Sequence, residues 1–538
     1  MNTRLAEAVD WLLGTDPAHA PQPGYLWPRW IFLRALGLIY FSVFYSFLFQ
    51  IKGLIGPSGI LPAGDYLRAV AAALHAERFW FAPTLLWFGS SDRALLFICW
   101  LGLAASLLAV LNIWPRATLA VCFVCFLSFI CAVQDFSSYQ SDGMLLEAGF
   151  IALFFAPRGW FPGLGSGHPP SRASLYLLRW EWFRIYFESG IVKIASGDPS
   201  WRHLTAMDDY YQNLPLPTWI GWYVQQFPHW FHAATVLLTF SIELGLAWLV
   251  FLPRRFRIAC FLIVTLLQIA IILTGNYAFL NYIVLSLGFL LLDDRFLEWV
   301  LPEHIKDIFS EQRSEPATDA IPAETRRVQW RAALAPLRKL IAGVCLGLVF
   351  YSTSVQLIWM FFPWLPLPTA PIRLLVPFRI ADRYGLFAVM THKRYEIEFQ
   401  GTRDGKTWIA YPFRYKPQDP YKAPGIYAPY QPRFEWNLWF ASLGPWQNYR
   451  WVVWTEVRLL QNQPDVLALF AGNPFATKPP QGVRAVIWQY WFTDEKTKRE
   501  QGAWWRREEL GAYAPPLERE PDGKIVLLNV PIPQIAPP

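Results

Sequence analysis

Residues 94–113 read ALLFICWLGLAASLLAVLNI, an apolar run without a single charge. As a helix it is long enough to cross the hydrocarbon core of a bilayer, which takes about 20 residues. The same ruler marks further apolar segments near 31–50, 117–134, 143–157, 174–195, 232–252, 257–274, 279–292 and 340–362. Composition agrees with a lipid-facing chain: hydrophobic residues make up 54% and charged residues only 16%, against about 25% charged in an ordinary soluble protein. Disorder, collagen-like repeats and a highly charged nucleic-acid binder are excluded. The expected fold class is mostly α: a polytopic helical membrane domain of about nine spans, followed by a non-cytoplasmic Trp-rich α+β domain.

Loop charge sets the expected orientation, because Lys and Arg concentrate on the cytoplasmic side. Arg254-Arg255-Phe256-Arg257 is the strongest inside signal, and the loop 293–339 also carries many bases. The loop 135–142 has Asp135 and Asp142 and no base, and the loop after Lys193 has Asp198, Asp208 and Asp209. These alternate, giving a cytoplasmic segment at 1–30, a membrane domain at 31–362 with an outer loop at 196–231 and a cytoplasmic loop at 293–339, and a non-cytoplasmic domain at 363–538. Residues 66–88 are only weakly apolar and read as interfacial. The net charge of +7 then belongs to cytoplasmic loops; no Lys/Arg-dense run with interleaved aromatics points to nucleic acid. The first 28 residues hold four prolines and no apolar core of a cleaved signal peptide, so the first membrane segment is expected to anchor the chain.

The last third is different material. PWLPLPTAP, from Pro363, cannot continue a helix. YEIEFQ (395–400) and TWIAYPFRYK (407–416) flank Arg403-Asp404-Gly405-Lys406, where Asp-Gly supplies a hairpin turn. Residues 433–470 read as Trp-rich amphipathic helices, and RAVIWQYWFT (484–493) as a strand.

Catalytic signatures are weak. Cys122 and Cys125 form a C-x-x-C inside an apolar run with no second pair, and six cysteines in all are too few for a disulfide scaffold. His229 and His232 have a helical spacing that could hold metal, though flanking aromatics favour an interfacial role, so no metal or cofactor is expected. There is no H-E-x-x-H and no G-x-S-x-G, and the run Gly401 to Thr407 is one residue short of a phosphate loop. What remains is intramembrane polarity: Glu147, Glu181, Arg184, Glu188, Lys193 and Glu243. Charges in a bilayer are costly, so these either pair with one another or line a site. Gly343 and Gly347 make a small-residue face on the last span, a possible helix-association surface.

The run ESGIVKIASGDPSWRHLTAMDDYYQNLPLP (188–217), with FPHWFH, LTGNYAFLNYIVLSLGFLLLDD (273–294), APYQPRFEWNLWFASLG (428–444), NPF (473–475) and WWRRE (504–508), resembles the lipase maturation factor family. The resemblance runs from the first membrane segment to about residue 510. It implies a multi-pass protein that assists the folding of secreted lipases, in animals in the endoplasmic reticulum membrane, whose non-cytoplasmic regions meet the client protein. It makes Gly197, Asp198, Trp201, Asp208 and Tyr210, with Pro429, Tyr430, Gln431, Pro432 and Arg433, the client-binding or motif candidates. A rigid turn with Arg433 stacked on a Trp is the structural alternative for the last five. The chain has no Asn-x-Ser/Thr sequon and no retention tetrapeptide at its end, which suits a bacterial-type member in an inner membrane. Gly190-Ile-Val-Lys193-Ile is also similar to a run in the membrane domain of vitamin K-dependent gamma-glutamyl carboxylase, which implies an alternative: a quinone- or carboxylase-like enzyme with Lys193 as base.

Overall fold

The computed structural model describes residues 3–13, 24–137, 139–303 and 335–533. Most of the expected cytoplasmic loop 293–339 therefore lies outside the described residues, as do 14–23 of the expected N-terminal segment. In chain order the main helices are α1 (Thr3–Leu13), α2 (Leu26–Ile55), α3 (Ala63–Leu74), α4 (Asp92–Val110), α5 (Pro115–Ile130), α6 (Gln140–Phe155), α7 (Arg172–Ala195), α8 (Trp219–Gln225), α9 (His229–Phe240), α10 (Arg254–Thr274), α11 (Leu280–Gly288) and α12 (Ala335–Phe361). After them come strands β1 (Arg394–Thr402) and β2 (Ile409–Ala410), helices α13 (Arg433–Ser442) and α14 (Trp451–Leu460), and strands β3 (Gly482–Phe492), β4 (Trp505–Ala512), β5 (Leu517–Arg519) and β6 (Ile525–Leu527).

Among the described residues, five helices are long and apolar enough to cross a bilayer: Leu26–Ile55, Asp92–Val110, His229–Phe251, Arg254–Thr274 and Pro336–Phe361. The expectation of about nine spans is corrected to five. The other four segments are either too short or too charged. The stretches Pro115–Ile130 and Leu280–Leu291 are short apolar helices, and α6 has only 16 residues. The longer α7 carries Arg179, Glu181, Arg184, Glu188 and Lys193. Their hydrophobicity serves packing inside the protein: α6 buries Met144, Leu145, Leu146, Ile151 and Phe155. In contrast, only 17% of the apolar window of α10 is buried inside the protein, leaving most of that helix to lipid. Apolar runs report burial, and a bundle core and a bilayer provide it equally well.

The bundle core forms around α2, which packs most closely on α4. Gly102 makes that approach possible, since a Cβ there would lie 2.5 Å from the Phe44 ring. After α9 the chain widens into a π turn, Ser241–Gly245, before continuing to Phe251. Helix ends tie together by polar contacts. At the end farthest from the sheet, Asp294 accepts from the Leu26 and Trp27 N–H groups at 3.1 and 2.7 Å, and Arg254 pairs with Asp293 at 2.5 Å.

The sheet is antiparallel, in the order β2-β1-β3-β5-β6, with β4 also on β3. The long β1–β3 ladder runs from Arg394↔Tyr490 to Thr402↔Gly482. Alternation along β1 points Tyr395, Ile397 and Phe399 one way and Glu396 and Glu398 the other, yet the whole strand is buried. The acidic face is closed by cations: Lys416 pairs with Glu396 at 2.7 Å and Arg507 with Glu398 at 3.3 Å. At the turn after β1, Gly405 takes φ +71°, the left-handed conformation that the Asp-Gly pair anticipates. The strand-like stretch after it is shorter than expected, since only Ile409 and Ala410 pair.

Candidate functional site

The sequence candidates converge on the seam where the sheet domain meets the helix bundle. Arg433 is buried and donates to both carboxylate oxygens of Asp142, at 2.8 and 2.7 Å, and to the Phe136 carbonyl at 2.8 Å. Its guanidinium lies over the rings of Phe47 (4.5 Å) and Tyr139 (5.4 Å), so the stacking partners are not the Trp anticipated. Such a bidentate pair satisfies charge and geometry together. The Gln431 carbonyl accepts from Ser46 and from Gln50, the latter at 2.9 Å. Ser42 donates to the Pro429 carbonyl at 3.0 Å, and the Tyr430 ring meets Tyr45 edge-on with centroids 6.3 Å apart. Buried Pro432 precedes α13 and sets its start. The five residues 429–433 thus grip α2 and the start of α6.

A second strap runs from α12 to the sheet over the end of α7. Asp198 accepts from Ser200 N–H at 2.8 Å and from Met390 N–H at 2.7 Å. Burial pushes its pKa up, but those N–H groups and the Ser200 hydroxyl outweigh burial and hold it below the ordinary value. Trp201 donates to the Phe387 carbonyl at 3.1 Å, and the Tyr210 and Tyr277 hydroxyls lie 3.0 Å apart. Gly197, at φ +75°, lets the chain turn off the end of α7. Asp208 is half-buried against His229 at 3.0 Å.

Five of the six charges expected within the membrane pair with one another. Arg184 bonds Glu147, lies 3.9 Å from Glu188 and donates to the Asp382 carbonyl at 2.8 Å. Tyr384 donates its hydroxyl to Glu147 at 2.8 Å and its N–H to Glu188 at 2.6 Å. Glu181 is buried beside this group and, among the described residues, has no ion-pair partner of its own. Lys193 donates to both oxygens of Glu243 at 2.8 and 2.9 Å and to the Leu386 carbonyl at 3.1 Å. The π turn of α9 brings Glu243 there. The Ser189 carbonyl lies 3.4 Å away as well, so the Lys193 amine is surrounded by acceptors of the protein's own.

Several working residues were not among the candidates. In the sequence Asp142 reads only as a loop charge, and Tyr384, Asp382 and Leu386 belong to a strap with no motif. Asn276 holds three groups of the sheet domain: it accepts from Tyr427 and Ala428 N–H at 2.6 and 3.0 Å and donates to the Gly425 carbonyl at 2.9 Å. Its place in an uncharged turn between two apolar runs was the available signal. What the seam leaves uncovered is aromatic. Trp219 is 44% exposed and Trp230 70%, with Tyr223 and Phe227 exposed between them. The C-x-x-C cysteines are free and buried, and His232 is buried against Tyr211.

Comparison with known proteins covers both halves. Residues 27–299 match the family model described as lipase maturation factor transmembrane domain, and 380–515 match the lipase maturation factor C-terminal domain. Lipase maturation factor 2 of Gallus gallus is 32% identical over 91% of this chain and 81% of its own length. Lipase maturation factor 1 of Bos taurus is 31% identical over 92% of this chain and 90% of its own; that of Homo sapiens is 29% identical over 94% and 90%. No solved structure matches the chain.

Proposed function

The chain belongs to the lipase maturation factor family, and on that premise we propose that it is a membrane-embedded maturation factor that helps exported proteins fold, lipases by the family's name. The observation that carries the reading is the exposed aromatic row of Trp219, Tyr223, Phe227 and Trp230 beside a firmly mounted sheet domain. Aromatic side chains offer apolar contact with a polar handle and little entropy to lose, which suits a client that is not yet folded. In this reading Gly197, Asp198, Trp201, Asp208 and Tyr210, with Pro429 to Arg433, act on the client through the surface they hold in place. The enzyme alternative is not carried further, because Lys193 is committed to Glu243 and Leu386.

The finer organisation belongs to the same proposal. Residues 31–362 form the membrane unit, with 1–30 and the loop 293–339 on the cytoplasmic side. The loop 196–231 and the domain 363–538 lie on the periplasmic or luminal side, an alternation that requires the short or charged helices α5, α6, α7 and α11 to carry the chain across the bundle as well. The Arg254–Arg257 cluster supports that orientation, and the missing sequon supports a bacterial inner membrane. The test is co-expression with a secreted lipase. Trp219→Ala with Trp230→Ala, or truncation after Phe362, is expected to lower secreted lipase activity several-fold while the protein still inserts. Unchanged lipase yield from both variants would contradict the proposal.

A further inference from the structure

Two cavities open side by side at the end of the bundle away from the sheet domain. One, about 1340 Å³, runs between α1, α7 and α12 and is walled mainly by apolar side chains, among them Leu175, Tyr176, Leu340, Val344 and Phe350. The other, about 1070 Å³, is lined by Arg116, Arg158, His168 and Arg338 together with Trp114 and Trp160. Leu13, Lys339 and Leu346 border both, so the two adjoin.

The charges of the second cavity are unbalanced among the described residues. Among the described residues no carboxylate pairs with Arg116, Arg158 or Arg338; Lys339, in contrast, is paired with Asp10. Arg116 gives one N–H to the Ala156 carbonyl at 2.6 Å, and its buried Nε finds no acceptor. Burial and then Arg338 push the Arg158 pKa down, and burial followed by Arg158, Arg116 and Arg29 does the same to His168. Cations that press on one another in this way are relieved by an anion, and guanidinium groups suit the oxygens of a phosphate. Trp114 and Trp160 pack with ring centroids 5.2 Å apart, and both are exposed, as expected of rings at the headgroup level.

The apolar cavity supplies the second half of an amphipathic ligand site. A Cβ built on Gly347 would meet nothing within 4 Å, and one on Gly343 only Leu13 at 3.9 Å. Within this chain the small-residue face of α12 therefore borders open space, with Leu13 of α1 its nearest neighbour. We propose that the paired cavities bind an anionic phospholipid, its phosphate held by Arg116, Arg158 and Arg338 and an acyl chain laid along α12 past Gly343 and Gly347. Charge selects the headgroup, and the slot beside α12 distinguishes a lipid from a free phosphate.

The test uses the full chain in lipid nanodiscs, followed by native mass spectrometry of retained lipid. Phosphatidylglycerol is expected to be retained over phosphatidylcholine of the same chain length. Arg158→Gln with Arg338→Gln should lower that retention by about 10-fold or more. Gly343→Leu with Gly347→Leu should also lower it while the bundle melts no lower than wild type, since leucine favours the helix and fills the slot. Inorganic phosphate at a large excess over the lipid should leave it bound. Equal retention of the two lipids would overturn the proposal, as would unchanged retention in both variants. Displacement by inorganic phosphate would assign the arginines to a free anion and overturn it as well.

Discussion

The two ends of the helix bundle use the same kinds of residue to opposite effect. At the end under the sheet domain, Arg433 closes on Asp142, and Lys193 closes on Glu243. At the other end Arg116, Arg158 and Arg338 face a cavity of about 1070 Å³ with no carboxylate across from them among the described residues. Both sets stand near helix termini and both are basic. What separates them is cover. Where a second domain seals a helix end, a dry ionisable group must be matched within the protein or give up its charge, since an unmatched ionised one costs several kcal/mol. Where no described residue covers the end, arginines can stay open to solvent, lipid or ligand.

The contrast breaks most easily at Arg433. Arg433→Met leaves Asp142 dry and uncompensated, and is expected to cost about 3–5 kcal/mol, read as a lower melting temperature and faster proteolysis between α12 and β1. Adding Asp142→Leu should recover most of the loss, because an apolar pair of similar size suits the same site. A single-variant cost below about 1 kcal/mol would put the pair with exposed ion pairs and erase the difference between the ends.

Glu456 sharpens the comparison from inside the sheet domain. It is buried against β3 and, among the described residues, accepts only from the Ala485 N–H, at 2.7 Å. Burial lifts its pKa well above the ordinary 4.5. The folded state therefore holds its proton more tightly than the unfolded chain does, and stability falls as pH rises from the ordinary value through the lifted one. Glu456→Gln keeps an acceptor and removes the charge. It is expected to gain about 1–2 kcal/mol at pH 8 and much less at pH 4, measured by thermal melting across pH. A pH-independent difference would contradict the assignment.

The smallest effect belongs to the open end. Arg158→Gln alone should change bundle stability by no more than about 0.5 kcal/mol, as befits a side chain with no ion-pair partner among the described residues. A larger loss, measured by the same melting assay, would mean that this end is closed after all.

The sequence made some of this legible and hid the rest for definable reasons. The run 94–113 needs no partner to be read, and the corresponding helix spans Asp92–Val110. The Asp404-Gly405 turn and the strand through Ile487 are likewise set by local chemistry. The span count was overdrawn because α6 and α11 are as apolar as the lipid-facing helices but spend that character inside the bundle. Pro429 to Arg433 stood out as a motif, yet its partners Ser42, Ser46, Gln50 and Asp142 lie hundreds of residues away, and no local pattern encodes a pairing over that distance. Gly343 and Gly347 read as an association face, but the open space beside them within the chain is visible only in three dimensions.

The most direct test of the account places a photo-crosslinking residue at Trp230 in one variant and at Trp299 in another, with a secreted lipase co-expressed. Trp230 lies in the aromatic row beside the sheet domain, and Trp299 is exposed beyond α11 at the opposite end. Crosslinks to the newly made lipase from Trp230 and none from Trp299 are the predicted result. Crosslinks from Trp299 alone, or from neither position while lipase secretion still depends on the protein, would contradict it.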